Sequence, residues 1–316
     1  MLLKRIKKNY LIIFILFLIF SAQIIYSKVL FEIDDDVENS DELEAAIDLS
    51  PTQAANLLEK LDEEEEPESL KIDDVLKNIK LQNPISFDIG EEIVFSVKYG
   101  IINVGNAVFR VSRAATNFYK RPALMITSDA QTNSFFDAVY RVRDRIVSYV
   151  DTEKLISYKY IKVQREGGKK INELIRYKYP NKIAVRYRSK LKKDKINHNK
   201  TTFELKEAIF DPFAALYYLR TLNFKVGDTV KIPVSSSTDQ YELNIKILKL
   251  EKLNTKIGKI DCYKLRPVLL KEGIFLHKGD MDIWVTADNR KIPVKMQGQM
   301  LFGSITATIE RYRDKQ

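Results

Sequence analysis

The sequence predicts an all-β protein, mainly antiparallel, whose curled sheet forms a barrel or half-barrel with one short helix packed on or in it. Three observations carry this. Between about residues 85 and 313, apolar and polar residues alternate over short runs, as in Glu92-Ile93-Val94-Phe95-Ser96-Val97-Lys98-Tyr99, and a period of two belongs to a strand with one buried face. Turn chemistry such as Glu166-Gly167-Gly168-Lys169 and Pro180-Asn181 breaks the runs at close intervals and joins neighbours as hairpins. Only Phe210 to Arg220 carries a full set of helix signals within that body. A dozen or more strands in one sheet curl or close rather than stay flat.

The N-terminus reads differently. Lys4, Arg5, Lys7 and Lys8 precede the uncharged run Leu11 to Phe20, and small residues follow near Ser27. That is the grammar of a secretory signal peptide over residues 1–27. Its rival is an uncleaved membrane anchor, because apolar character persists through Ile25 and approaches the roughly 20 residues that span a bilayer. Either places the body outside the cytoplasm, in a bacterial periplasm or beyond.

Residues 28–84 form an acidic arm. Residues 28–75 hold 18 Asp/Glu against 3 Lys, a net −15, and residues 1–27 a net +4, so a whole-chain +9 hides a body of +20. Asp34-Asp35-Asp36 and the run Asp62 to Glu66 cannot be desolvated cheaply and stay in water. Short helices are expected at Ser50 to Leu61, with Pro51 in the first turn, and at Asp73 to Lys80. The arm is otherwise read as disordered and dispensable for folding. Its carboxylates lack the alternating spacing and turn glycine of a calcium loop.

In the body, Ile93, Phe95, Val97 and Tyr99 share one face, and Ala107 to Ser112 returns as a hairpin partner. Ala123 to Thr132, Asp144 to Val150, Ser157 to Arg165, Ile171 to Tyr179 and Lys182 to Lys190 continue the meander, with a helical turn at Ser134 to Val139. Lys192 to Lys200 is polar and basic and reads as a loop. In the helix, Asp211 is placed to accept a hydrogen bond from an orphan backbone N–H, and Pro212 loses nothing at the first turn. Phe213, Leu216, Tyr217 and Arg220 then fall on one face, which makes this segment a core or plug helix. Thr229 to Val234, Tyr241 to Leu253, Lys259 to Leu269, Met281 to Thr286, Ile292 to Met296 and Ser304 to Ile309 complete the sheet.

Several of these stretches resemble a bacterial family of exported proteins, the domain of unknown function 3108 (DUF 3108). They are Gly90-Glu91-Glu92 with Val97-Lys98-Tyr99-Gly100 and Val104-Gly105-Asn106-Ala107, then Phe135-Phe136-Asp137-Ala138-Val139-Tyr140 with Arg143-Asp144-Arg145 and Ser148-Tyr149-Val150-Asp151. The helix follows as Asp211-Pro212 with Ala215-Leu216-Tyr217-Tyr218 and Arg220, and the run Ile283 to Val294 with Gly303-Ser304 closes the series. The resemblance covers about Asp88 to Glu310 and implies an exported β-rich domain; it implies no activity.

No catalytic or metal constellation is read from the residues, and no cofactor is expected. The two histidines, His198 and His277, have no second ligand at metal spacing. The nucleophile elbow Gly-x-Ser-x-Gly is absent. The single cysteine, Cys262, excludes an internal disulfide and reads as a buried inert thiol. Alternation sets Arg141, Arg143 and Arg145 on one face with Asp144 opposite, and guanidinium forks suit anions, so the three are a candidate anion-recognition strip. Trp284 reads as a core anchor, while Asp288 and Arg290 shape a turn. Export removes nucleic acid as a partner for the basic body. The first functional expectation is a non-enzymatic envelope protein that binds an apolar or amphipathic molecule, a lipid or lipoprotein, as lipoprotein-carrier half-barrels do, with an anionic membrane surface as a further partner. The alternative is a scaffold recognising a protein or anionic wall polymer; an enzyme of unknown class ranks third.

Overall fold

A computed structural model describes residues 45–60, 72–77, 79–192, 195–271, 274–275, 281–299 and 303–314. The expected signal segment, both acidic runs and His277 lie outside the described residues. The first eight strands form a meander: β1 (Glu92–Tyr99), β2 (Ile102–Arg113), β3 (Ala123–Thr132), β4 (Arg143–Asp151), β5 (Ser157–Glu166), β6 (Lys169–Lys178), β7 (Ile183–Lys192) and β8 (Lys195–Glu204). After a helix the chain resumes with β9 (Thr229–Ser236), β10 (Asp239–Thr255), β11 (Gly258–Lys271), β12 (Ile274–Phe275), β13 (Met281–Thr286), β14 (Pro293–Gln299) and β15 (Ser304–Arg313). One sheet runs β8-β7-β6-β5-β4-β3-β2-β1-β15-β14-β13-β11-β10-β9, with β12 paired to β11. The first and last strands, β1 and β15, are therefore neighbours at its centre, joined from Glu92↔Arg313 to Tyr99↔Ile305.

The sheet curls but does not close, since β8 and β9 are its two ends. A strap, residues 205–211, crosses the seam. Leu205 N–H donates to Lys182 O at 2.7 Å and Ser157 N–H to Ile209 O at 3.1 Å; on the other side, Phe210 N–H donates to Pro233 O at 3.0 Å and Ser235 N–H to Phe210 O at 2.9 Å. The strap leads into the central helix.

Among the described residues the remaining named elements are α1 (Pro51–Lys60), α2 (Asp73–Leu76), α3 (Ser134–Asp137), α4 (Pro212–Leu219) and a 3-10 turn at Tyr179–Asn181. Sequence periodicity assigns α4 one apolar face, but Pro212, Phe213, Ala214, Ala215, Leu216, Tyr217 and Leu219 are all buried. A helix apolar all round is an interior helix, and α4 plugs the curl.

Two expectations are corrected. The basic stretch expected to be a loop is the strand β8, laddered to β7 from Ile183↔Glu204 to Lys192↔Lys195. An edge strand needs only backbone pairing, and polar side chains protect it from joining another sheet. The stretch expected to be a solvated arm is partly docked. Ala54, Ala55 and Leu58 of α1 are buried against β4 and β5, and Ile72 and Leu76 are buried too. Arg165 donates to the carbonyls of Ala46 (2.8 Å) and Leu49 (3.3 Å), satisfying acceptors that the end of a helical turn leaves open. Further along, Asn83 N–H donates to Thr221 O at 2.9 Å. A small apolar face packs locally whatever charge flanks it, and the covering helix explains why β5 is buried on both faces.

Candidate functional site

Inward-facing side chains divide the curl into unlike halves. Along β5, Tyr160 and Lys162 alternate inward beside Ile175 and Glu173 of β6. Glu173 accepts from Lys162 at 2.6 Å and from Arg186 of β7 at 2.9 Å, all three buried. Against burial, which pushes it up, Lys162 and Arg186 hold the Glu173 carboxyl well below the usual carboxylate range. On β1, β2, β14 and β15 the inward positions are apolar instead, and there a cleft opens between the strand ends and α4.

The cleft is lined by Val97, Val104, Ala107, Ile146, Met296 and Ile305, and Phe213 of α4 stands beside them. The cleft is open to solvent, and its cavity volume is about 70 Å3. Gly105 in its wall is obligatory: a Cβ there would stand 2.0 Å from the carbonyl oxygen of Gln131, so β2 and β3 approach this closely only because the side chain is missing.

Asn106, Gln131 and Thr132 also line the cleft, with two buried polar groups, Ser128 and Asp144, deeper in its wall. Ser128 Oγ is buried with no protein partner, and Asp144 turns one oxygen to the Arg165 N–H at 2.8 Å. The other Asp144 oxygen faces Glu166, another buried carboxyl. Burial, followed by mutual repulsion for Glu166, pushes both carboxyls up, so the pair shares a proton at neutral pH. The sequence signal for Asp144 is its position opposite the arginines. Glu166 gave none, because its neighbours read as turn.

Both ends of α4 are held by buried ionic groups. At its N-terminus, Asp211 accepts from Phe213 N–H (2.8 Å), Ala214 N–H (2.9 Å) and the hydroxyls of Ser157 (2.6 Å) and Ser148. Burial pushes the Asp211 carboxyl up against these four donors. At its C-terminus, Arg220 grips Glu91 through two bonds of 2.7 and 2.8 Å, with both side chains fully buried. Its Nε–H donates to the carbonyl of Arg290 at 3.0 Å, and its plane lies 4.8 Å from the Phe87 ring and 5.3 Å from that of Tyr217. Glu91, Arg220 and Arg290 come from three motif stretches far apart in sequence, and the fold brings them to one point.

The arginine strip is divided. Arg143 clamps Asp137 with bonds of 2.5 and 2.9 Å, and Arg145 reaches Asp129 at 2.6 Å. Arg141 precedes β4 and is exposed. Trp284 is buried, but alternation sets it on the face opposite Ile283 and Val285. There its Nε1–H donates to Glu251 at 2.7 Å, and the Lys264 and Lys295 ammonium groups lie 5.0 and 4.5 Å from its ring. Asp288 accepts from Arg290 Nε–H at 3.0 Å within the β13–β14 turn. His198 lies on β8, with Nδ1 2.9 Å from Ser189 Oγ. Burial pushes the Cys262 thiol up to about 12, so it stays protonated. Among the described residues, no group of three His, Cys, Asp or Glu side chains is arranged to hold a metal ion.

Comparison with known proteins gives relatives without an assigned activity. A β-barrel-like protein of the domain of unknown function DUF1849 from Brucella abortus matches 73% of this chain and 99% of its own at 9% identity, with a TM-score of 0.47. A candidate exported protein with a YmcC-like fold from Bacteroides fragilis covers 74% and 99% at 13% identity, with a TM-score of 0.27. A candidate lipoprotein from Parabacteroides distasonis covers 73% and 99% at 10% identity, again with a TM-score of 0.27. No curated protein matches significantly. No helix among the described residues is long and apolar enough to cross a membrane. The sequence model for the proteins of unknown function DUF3108 matches residues 94–310, and the chain belongs to that family.

Proposed function

We propose that this protein is an exported, non-enzymatic envelope protein whose cleft seats one slender apolar chain of an amphipathic envelope molecule. The observation that carries the reading is the cleft itself, mostly apolar along its wall, with Ser128 and Asp144 among its few polar groups. Its cavity volume of about 70 Å3 is under half of the ~150 Å3 apolar cavity that takes up benzene. The size therefore favours a single alkyl chain entering from the open side over a wholly engulfed lipid. Export rests on the basic and apolar N-terminal segment.

The test has two arms. Native mass spectrometry of the protein purified from its own envelope, with lipid extraction, reads what is carried. Displacement of a fluorescent fatty acid then compares the parent with Ala107→Phe, which fills the wall of the cleft. Binding at least tenfold weaker in a variant that still unfolds cooperatively supports the proposal. Equal binding by parent and variant, or a protein that arrives empty and takes up no probe, rejects it and favours a scaffold.

A further inference from the structure

The rim around the mouth of the cleft is built from strand ends and hairpin turns, and it is apolar where a water-facing rim is ordinarily polar. Ile101, at the tip of the β1–β2 hairpin, is 93% exposed and Ile102 beside it 54%; Phe135 in α3 is 73% exposed and Val139 just after it 54%. These four make up half of the large apolar side chains exposed among the described residues. They lie together because hydrogen bonds tie their loops. Asn133 N–H donates to Val104 O at 3.0 Å, Asn133 Nδ2 to Asn103 O at 3.0 Å, and Gly100 N–H to Ser304 O at 2.9 Å.

The platform is braced. Asn133 caps α3 by accepting from Phe136 N–H at 3.0 Å, and Asp137 at its end is held by Arg143 and by the Thr132 hydroxyl. None of the α3 side chains is buried, so core packing does not account for Phe135. Contiguous exposed apolar surface of this kind marks an interaction site.

The occupant follows from three features. Apolar tips on separate loops around an opening have the form of wedges that enter a soft layer. Exposed Lys98 and Arg141 flank the tips and complement anionic headgroups. The apolar cleft opens at the same rim, where a lipid chain would have to arrive. We infer that this rim docks on an anionic bilayer surface, with Ile101, Ile102, Phe135 and Val139 entering the boundary between headgroups and acyl chains. Arg141, one of the three arginines of the sequence strip, serves there as a headgroup contact. This interaction surface is separate from occupancy of the cleft, and either reading can fail alone.

The experiment uses the full chain with a polarity-sensitive fluorophore on Ile101→Cys or, at the β10–β11 turn on the opposite rim, on Ile257→Cys. Cys262 is buried and leaves each introduced thiol as the reactive one. Vesicles are zwitterionic lipid alone or with an anionic phospholipid. The expected result is a blue shift at position 101 on anionic vesicles and none at position 257. Phe135→Ser with Val139→Ser should weaken the anionic-vesicle response at least tenfold without moving the melting temperature, since both side chains are exposed. No response at 101 on either vesicle, an equal response at 257, or an undiminished response in the serine variant overturns the inference, the first pointing to a protein partner. Fatty-acid displacement without a response at 101 rejects docking and leaves the cleft reading intact; the reverse pattern rejects the cleft and keeps the docking.

Discussion

Replacing Glu91 with alanine is expected to destabilise the domain by about 3–5 kcal/mol, the range for removing one partner of a buried ion pair. The magnitude follows from what remains. Arg220 has no exposed side-chain surface, so its charge cannot turn to water. It would keep the Arg290 carbonyl at 3.0 Å and the flanking rings of Phe87 and Tyr217. It would lose both carboxylate bonds, of 2.7 and 2.8 Å, each charge-assisted and of the class that contributes about 1.5–3 kcal/mol. Tyr312 would lose Glu91 as an acceptor but keep Asp314 at 3.1 Å. Against a domain stability of about 5–15 kcal/mol, the loss removes a fifth of the total at the least. Urea unfolding at neutral pH of Glu91→Ala, Arg220→Met and the double variant gives the cycle. The double variant should be clearly more stable than the sum of the two single losses predicts, because it strands no charge. A Glu91→Ala cost below about 1 kcal/mol, or a strictly additive cycle, would refute the reasoning.

Three further outcomes are expected. Leu216→Asp puts an unpaired carboxylate on a helix position that is 2% exposed and should cost about 3–5 kcal/mol or leave no folded protein; a melting temperature within a degree or two of the parent would contradict an interior α4. Leu58→Asp should destabilise the body by about 2–4 kcal/mol in the same unfolding assay, because α1 is docked; no effect would return that segment to solvent. Glu166→Gln bears on pH. Both carboxyls of the Asp144–Glu166 pair are raised, so the native state binds more protons than the unfolded chain, and stability is lost as pH rises from about 4 through neutrality. The glutamine variant should match its parent near pH 4 and exceed it by about 1–3 kcal/mol at pH 8; a variant weaker at pH 8 would show that the charge is needed.

Strand period and turn chemistry made the curled antiparallel sheet legible, because a half-buried strand writes its face into every second residue. The edge strand β8 was not, since its partner is a backbone and its side chains answer to solvent. The docking of α1 was hidden by composition: Ala54, Ala55 and Leu58 are a small signal within a stretch dominated by charge. Of the site, the alternation that sets Asp144 opposite the arginines was readable, as was Asp211 as a cap. The pairing of Arg220 with Glu91 was not, because 129 residues separate them and no local pattern records a contact made by folding. Trp284 shows a further limit: its burial was readable, whereas its place on the outer face, under two lysines, depends on neighbouring strands.

The depth of the cleft follows from how α4 is held. An interior helix that is apolar on every side gains nothing directional from its surroundings, since burial of apolar surface is proportional to area and indifferent to register. Sliding by one turn would cost it little in an apolar sleeve. Polar ends supply what the middle lacks. Asp211 ties the first turn to Ser148 of β4 and Ser157 of β5, and Arg220 ties the last to Glu91 and to the β13–β14 turn. Buried ionic groups are a poor source of net stability but a good source of registry, and here they fix where Phe213 stops. Its ring meets Phe109 edge-on at 4.9 Å, and the open space of the cleft lies beyond that contact, between β2, β3, β14 and β15. A sheet of this size would otherwise fill its own interior with side chains. The size of the cleft is therefore set by Asp211 and Arg220, buried at the two ends of a helix that contributes Phe213 to the lining.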